Sequence, residues 1–177
     1  IEILQKFEKP RFSEVGTGSG CISVSILHNV PNAVAVGLDI SENALATTRR
    51  NAERHQVIER LHLRNSDVFS VLPETKFNLI VSNPPYIPGE DITHLQAEVR
   101  DYEPLNALTD GKNGLTIIER IINQSPEFLH PNGFLLMEIG FNQSENVRKM
   151  FSEKTWQSVE VLPDLQGIPR TVKAQIK

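Results

Sequence analysis

Little in this sequence supports the commonest sources of added stability or of membrane and nucleic-acid affinity. Its 177 residues include one cysteine, Cys21, which excludes an internal disulfide and any multi-cysteine zinc site. No apolar run approaches about 18 residues, so no membrane-spanning helix and no membrane partner are expected. Excess positive charge is missing too. Lysine and arginine number 18 against 22 aspartates and glutamates, a net charge of −4, which leaves no general basic surface for nucleic acid. The five histidines (His28, His55, His62, His94, His130) show no ligand spacing, and no metal is expected. Neither an internal repeat nor a low-complexity tract interrupts the chain. It begins at Ile1 without a methionine, which points to a fragment, so the lack of a leader carries no message.

What is present suits one ordinary folded domain. Hydrophobic residues make up 39% and charged residues 23%, enough to bury a core and to argue against long disorder. A monomer is the expectation. Residues 1–10 read as the end of a preceding helix or linker, helical over 1–7 and closed by Pro10. Residues 11–177 read as the domain itself. Strands are predicted at 11–15, 33–38, 61–63, 77–82 and 134–139, and helices at 21–28, 42–55, 114–124 and 143–151. Ser41 caps the second of these helices, with Glu42 in its first turn. Residues 158–162 and 171–176 alternate like an antiparallel edge pair. Strands alternating with helices argue for a parallel α/β sheet, whose ligands bind at the carboxyl ends of the strands. Pro131-Asn132-Gly133 reads as a turn. Residues 87–113 follow no pattern and are too long for a simple connection, which makes them a functional or lid segment.

The residues with chemical character fall at that edge. Asn83-Pro84-Pro85-Tyr86 closes the fourth strand. Two prolines remove two backbone donors and stop ladder and helix alike, and the residue before a proline is pushed to extended geometry. An amide side chain beside rigid free carbonyls suits the grip of a planar –NH2 group. Gly16-Thr17-Gly18-Ser19-Gly20 follows the first strand. It is either a tight turn or a place where a ligand lies on bare backbone. Its G-x-G-x-G spacing is one residue short of the dinucleotide fingerprint. Asp39, ending the second strand, either caps a helix or accepts from both hydroxyls of a ribose. Glu14 is either exposed or holds the ammonium of an amino-acid tail. Asp67 is either a capping residue or an acceptor for an adenine amino group, with Val68 supplying backbone contacts. Ribose, adenine and an amino-acid tail together describe S-adenosylmethionine, which needs no phosphate cradle.

These residues resemble a family. Glu14-Val15-Gly16-Thr17-Gly18-Ser19-Gly20, Asp39, Asp67 and Asn83-Pro84-Pro85-Tyr86 are similar to the class I methyltransferases that methylate nitrogen. The longer match, through the run from Glu98 to Leu108, Asp110-Gly111 and the run from Gly133 to Gly140, resembles the release factor glutamine methyltransferases of the HemK/PrmC family. The resemblance implies a Rossmann-like fold: a seven-stranded, mostly parallel sheet with an antiparallel last strand and helices on both faces. It implies S-adenosylmethionine as methyl donor, leaving as S-adenosylhomocysteine, with Glu14, Gly16, Thr17, Gly18, Gly20, Asp39, Ile40, Asp67, Val68 and Asn83 around it. It implies a peptide-chain release factor as protein substrate, methylated on the glutamine of its Gly-Gly-Gln loop. It also implies a separate N-terminal helical domain that helps hold the release factor and is absent from this chain. The setting implied is the cytoplasm, or the mitochondrial matrix in a eukaryote.

On this reading Asn83 and the Pro84 carbonyl accept the two amide hydrogens of the glutamine, and Pro85 and Tyr86 complete the substrate site. Tyr86 packs on the flat amide and excludes water. Glu98, Arg100 and Glu103 either order the long loop through ion pairs or touch the substrate, the first role being favoured. Three rivals are a nucleic-acid N-methyltransferase stacking a flipped base on Tyr86, a ribosomal-protein glutamine methyltransferase, and a non-catalytic nucleotide-binding module. The acidic balance and the Glu98–Leu108 run count against the first. The last has no need of Asn83.

Overall fold

The computed structural model describes all residues 1–177. One sheet of seven strands organises it: β1 (Arg11–Val15), β2 (Val34–Asp39), β3 (Leu61–Asn65), β4 (Phe77–Ser82), β5 (Leu129–Glu138), β6 (Trp156–Pro163) and β7 (Pro169–Ile176). Their spatial order is β3-β2-β1-β4-β5-β7-β6. The β1–β2, β1–β4, β2–β3 and β4–β5 pairs are parallel, while β7 runs antiparallel to both β5 and β6. The order turns back between β1 and β4, which puts the crevice of the sheet at the carboxyl ends of those two strands.

The helices are α1 (Cys21–Asn29), α2 (Glu42–Arg54), α3 (Ala97–Arg100), α4 (Leu105–Leu108), α5 (Thr116–Phe128) and α6 (Ser144–Lys149). Buried apolar residues cover both faces of the sheet. On one face Phe12, Ala35, Leu79 and Val81 pack with Val24 and Leu27 of α1 and Ala52 of α2. On the other, Val15, Leu38, Ile80, Leu135 and Met137 pack with Ile118, Ile121 and Ile122 of α5 and Val147 of α6. Central strands buried on both faces explain their near-continuous apolar runs. Within β1 this alternation puts Phe12 and Glu14 on the face covered by α1.

The expected elements form, with four differences. Residues 1–7 make a single 3-10 turn, Leu4–Lys6, rather than a longer helix, and Leu4 is fully buried in the core of the α1 face. The helix expected at 114–124 runs on to Phe128, with Pro126 in its last turns, where the Ser125 hydroxyl donates to the Ile121 carbonyl. Pro131-Asn132-Gly133 does not end a connection. It lies inside β5 as an irregularity, with Asn132 at φ 63° and the register slipping opposite Phe77 and Leu79. Residues 87–113 are not featureless. They hold a 3-10 helix, Gly89–His94, and the one-turn helices α3 and α4. The Ile87 N–H donates to the Leu108 carbonyl and the Gly89 N–H to that of Lys112, so the segment folds back on itself.

Candidate active site

The glycine turn is built by left-handed backbone. Gly16, Gly18 and Gly20 have φ of 74°, 54° and 78°, a region that L side chains avoid. At Gly20 the helix α1 begins, and a Cβ there would lie 2.6 Å from Cγ2 of Thr48. Thr48, fully buried on α2, donates to the Gly18 carbonyl (3.1 Å), and Asn51 of the same helix donates to that of Ser19 (2.8 Å). Thr17 is buried and its hydroxyl lies 3.3 Å from that of Thr48. Asp39 closes the turn from the other side: its Oδ2 accepts from the Gly18 N–H and its Oδ1 from the Ser41 N–H, each at 2.8 Å. The loops after β1 and β2 are thus held together by one carboxylate, beside which Ile40 leaves an apolar side chain 62% exposed.

Glu14 is buried, so the exposed alternative falls away. Its Oε2 accepts both the backbone N–H (3.0 Å) and the hydroxyl of Ser23 on α1. Its Oε1 takes no hydrogen bond from the protein, and no side-chain oxygen sealed from solvent lacks a partner, so Oε1 keeps some access to solvent. Burial pushes the carboxyl up to about 7, with the Asp39 charge adding to the rise and the two Ser23 hydrogen bonds opposing it.

Asp67 and Val68 follow β3. Both Asp67 oxygens meet the Arg120 guanidinium of α5 at 2.9 Å, a bidentate pair. Val68 is buried at φ 54°, which is strained for a β-branched residue. The Ser66 hydroxyl holds its carbonyl at 2.9 Å, while its N–H has no partner in the protein.

Asn83 leaves β4 one residue beyond Ser82, which pairs with Val15. The corner therefore stands beside the glycine turn: a Cβ on Gly16 would lie 4.0 Å from the Asn83 carbonyl oxygen. Asn83 is exposed and its amide makes no hydrogen bond to the protein, Pro84 is buried, and Pro85 and Tyr86 are half-buried. The Tyr86 hydroxyl donates to Glu138 Oε1 at the end of β5 (2.8 Å). Burial, then that bond and the Glu138 charge, push the phenol up to about 12, so it stays a neutral donor.

Behind the corner stand groups to which the sequence assigns no role in the site, Gln143 and Gly114 foremost. The Gln143 amide donates to the Tyr86 carbonyl (2.8 Å) and accepts from the Gly140 N–H (2.8 Å). Gly114, at φ 73°, lies so close that any Cβ would collide with the Tyr86 carbonyl. Asp110 accepts from the N–H groups of Lys112, Gly114 and Thr116, and so fixes the start of α5. Burial works against its charge, but these bonds prevail and hold its carboxyl below the usual range. Asp110 and Gly140 stand in stretches that carry the family resemblance, while Gly114 and Gln143 read only as the first residues of expected helices. Arg100 pairs with its neighbour Asp101 at 2.8 Å rather than with Glu98 or Glu103. No three His, Cys, Asp or Glu side chains come together as metal ligands. A hollow of about 420 Å³ lined by Arg148, Phe151, Trp156 and Lys177 lies where β6 begins, and none of these site residues lines it.

A seven-stranded sheet in this order, with a glycine turn after β1 and a carboxylate after β2, defines the class I methyltransferase fold. Solved structures share it: a methyltransferase from Pyrococcus furiosus superposes with a TM-score of 0.69 at 18% identity, over 99% of this chain and 80% of that one. The chain belongs to the methyltransferase small domain family, whose model matches residues 1–99. It is 43% identical over 163 residues to the release factor glutamine methyltransferase of Geobacter sulfurreducens, covering 92% of this chain and 57% of that protein. It is 42% identical over 163 residues to that of Cereibacter sphaeroides, covering 92% and 58%. The chain thus spans little more than half the length of these relatives.

Proposed function

We propose that this chain transfers a methyl group from S-adenosylmethionine to the side-chain amide nitrogen of the glutamine in the Gly-Gly-Gln motif of a peptide-chain release factor. One observation carries the proposal: an exposed Asn83 amide with no partner in the protein, on a diproline corner backed by Tyr86, beside a bare glycine turn. The relatives named above support the choice of substrate.

The residues present fit the methyl donor. Glu14 Oε1 is an unpartnered acceptor suited to an ammonium. Asp39 keeps lone pairs for a ribose after its two backbone bonds. The Val68 N–H is an unpartnered donor held in a strained conformation, and Ile40 offers an apolar surface to an adenine ring. Asp67 keeps a lone pair on each oxygen beside Arg120 and remains an acceptor for the adenine amino group. Bound there, S-adenosylmethionine supplies an electrophilic methyl group.

The rest is positioning. A carboxamide nitrogen is a weak nucleophile because its lone pair is shared with the carbonyl. Asn83 Oδ1 and the Pro84 carbonyl accept its two hydrogens and hold it within about 3–3.5 Å of its target. Their partial negative charge favours the nitrogen as it turns positive. Tyr86, locked by Glu138, excludes water from one side of the amide. The proton leaves to solvent after transfer.

Charge favours a protein substrate over nucleic acid. Residues 87–113 hold six carboxylates (Glu90, Asp91, Glu98, Asp101, Glu103, Asp110) and two cations (Arg100, Lys112). That excess of four equals the net charge of the whole chain. The segment beside the corner therefore repels phosphate backbones and attracts a basic protein. The protein acts as a monomer on this reading. The test is incubation with labelled S-adenosylmethionine and either release factor or RNA, followed by peptide mapping. Label on the release-factor glutamine is expected, and label on RNA overturns the reading.

A further inference from the structure

We infer that Gln143 is a positioning residue for methyl transfer, the staple that holds the Asn83–Tyr86 corner against the rest of the site. The inference rests on the function proposed above and extends it to a side chain outside the motif. Asn83 makes no side-chain bond to the protein, and Pro84 and Pro85 have no N–H to give, so the corner has few means of being held. Its hold comes from Tyr86. The phenol is fixed by Glu138, and the backbone carbonyl by Nε2 of Gln143 at 2.8 Å.

The Gln143 amide joins three separate pieces of chain. Nε2 donates to Tyr86 after β4 and, at 3.4 Å, to the Gly114 carbonyl ahead of α5. Oε1 accepts from the Gly140 N–H after β5. Gln143 is only 8% exposed. Glycines line this contact. A Cβ at Gly140 would lie 2.9 Å from Cδ and Oε1 of Gln143, and one at Gly114 would strike the Tyr86 carbonyl and lie 3.0 Å from Gln143 Nε2. The site is cut to the size of an amide. It also needs a donor and an acceptor on the same side chain, because two of the three facing groups are carbonyls and one is an N–H. A carboxylate has the shape but not the donor, and it would set negative charge against two carbonyl oxygens.

That mismatch supplies the test. In Gln143→Glu the introduced carboxyl cannot donate while ionised, but its protonated form regains one O–H donor. The facing carbonyls favour that form. Turnover on the release factor is expected to fall about tenfold or more at pH 8. Affinity for S-adenosylmethionine by calorimetry should stay within about twofold, because Gln143 contacts none of the residues assigned to the cofactor. The ratio of variant to wild-type turnover should climb back as the pH is lowered to 6. Glu138, Arg170 and Asp110, the charged groups around the corner, are present in both proteins and cancel in that ratio. Gln143→Met, of similar length and without polar atoms, should show the loss without the recovery.

Hydrogen exchange of the Ile87 and Gly89 amides gives a readout that needs no substrate. It should quicken in both variants relative to wild type at the same pH. Exchange and turnover like wild type in Gln143→Glu would overturn the inference, as would a loss of turnover matched by loss of cofactor affinity. So would equal damage in both variants at every pH. If wild type transfers no methyl to the release factor, the functional proposal fails, while the exchange comparison still decides whether Gln143 holds the corner. Should Gln143→Glu fail to fold, Gln143→Met carries the exchange and affinity measurements.

Discussion

Asn83 presents its amide to solvent because nothing in the protein competes for it, and this makes the residue separable from the fold. Replacing it with alanine removes an acceptor without disturbing packing. Asn83→Ala should therefore cut turnover by about 100-fold or more, the usual cost of losing a preorganised dipole at a reacting centre. Its affinity for S-adenosylmethionine should stay within a few-fold of wild type, with both measured on the same preparation. Near-normal turnover would remove Asn83 from the mechanism. Glu14 behaves differently because it is buried. Its carboxyl titrates near 7 in the folded chain against an ordinary 4.5. The stability it contributes is present in full below about 4.5 and is lost as the pH rises through 7. Thermal unfolding of the ligand-free protein should show this decline, and Glu14→Gln should flatten it. On the proposed assignment of Glu14 to the ammonium of S-adenosylmethionine, only the ionised form makes the pair, so affinity should move the opposite way. Affinity should weaken roughly five- to tenfold from pH 7.5 to pH 6, and calorimetry on Glu14→Gln should show no such dependence.

The elements of the site are joined by short-range steric limits. The glycine turn meets α2 at Thr48, and the start of α1 depends on Gly20 keeping a left-handed φ of 78°. In Gly20→Ala the added methyl must strain the backbone and push Thr48 away, so α2 shifts relative to β1. Chemical denaturation should show a loss of about 2 kcal/mol, from backbone strain of about 1–2 kcal/mol with the clash in addition. Cofactor affinity should fall with it, because Thr48 and Asn51 of α2 hold the carbonyls of that turn. Unchanged affinity in this variant would mean that the turn does not carry the cofactor.

For the whole molecule, the proposed site for S-adenosylmethionine takes residues from the loops after β1, β2, β3 and β4, so a ligand bound there should stabilise the fold as a unit. A ligand at 100 times its Kd adds about 2.7 kcal/mol of stability. For a chain of this size that corresponds to a rise in Tm of about 5–10 °C. A thermal scan with saturating S-adenosylmethionine should show the rise, and no shift would argue against the cofactor assignment. No helix is long and apolar enough to cross a membrane.

The sequence by itself was enough for the sheet and for the corner. Buried central strands must read as apolar runs. Proline pairs and left-handed glycines announce themselves, because few other residues adopt those backbones. Phe77–Ser82 and Asn83-Pro84-Pro85-Tyr86 were legible for that reason, as were Asp39 and the glycine turn. Tertiary structure alone decided which long-range partner each polar side chain takes. Glu14 finds Ser23, Asp67 finds Arg120 53 residues away, Tyr86 finds Glu138, and Gln143 reaches across 57 residues to Tyr86. It also turned the expected break at Pro131–Gly133 into a bulge inside β5, since pairing with β4 outweighs local turn preference. Local propensity depends on a residue and its near neighbours in the chain. A hydrogen bond between distant segments depends on where the fold brings them, and no spacing in the sequence records that distance.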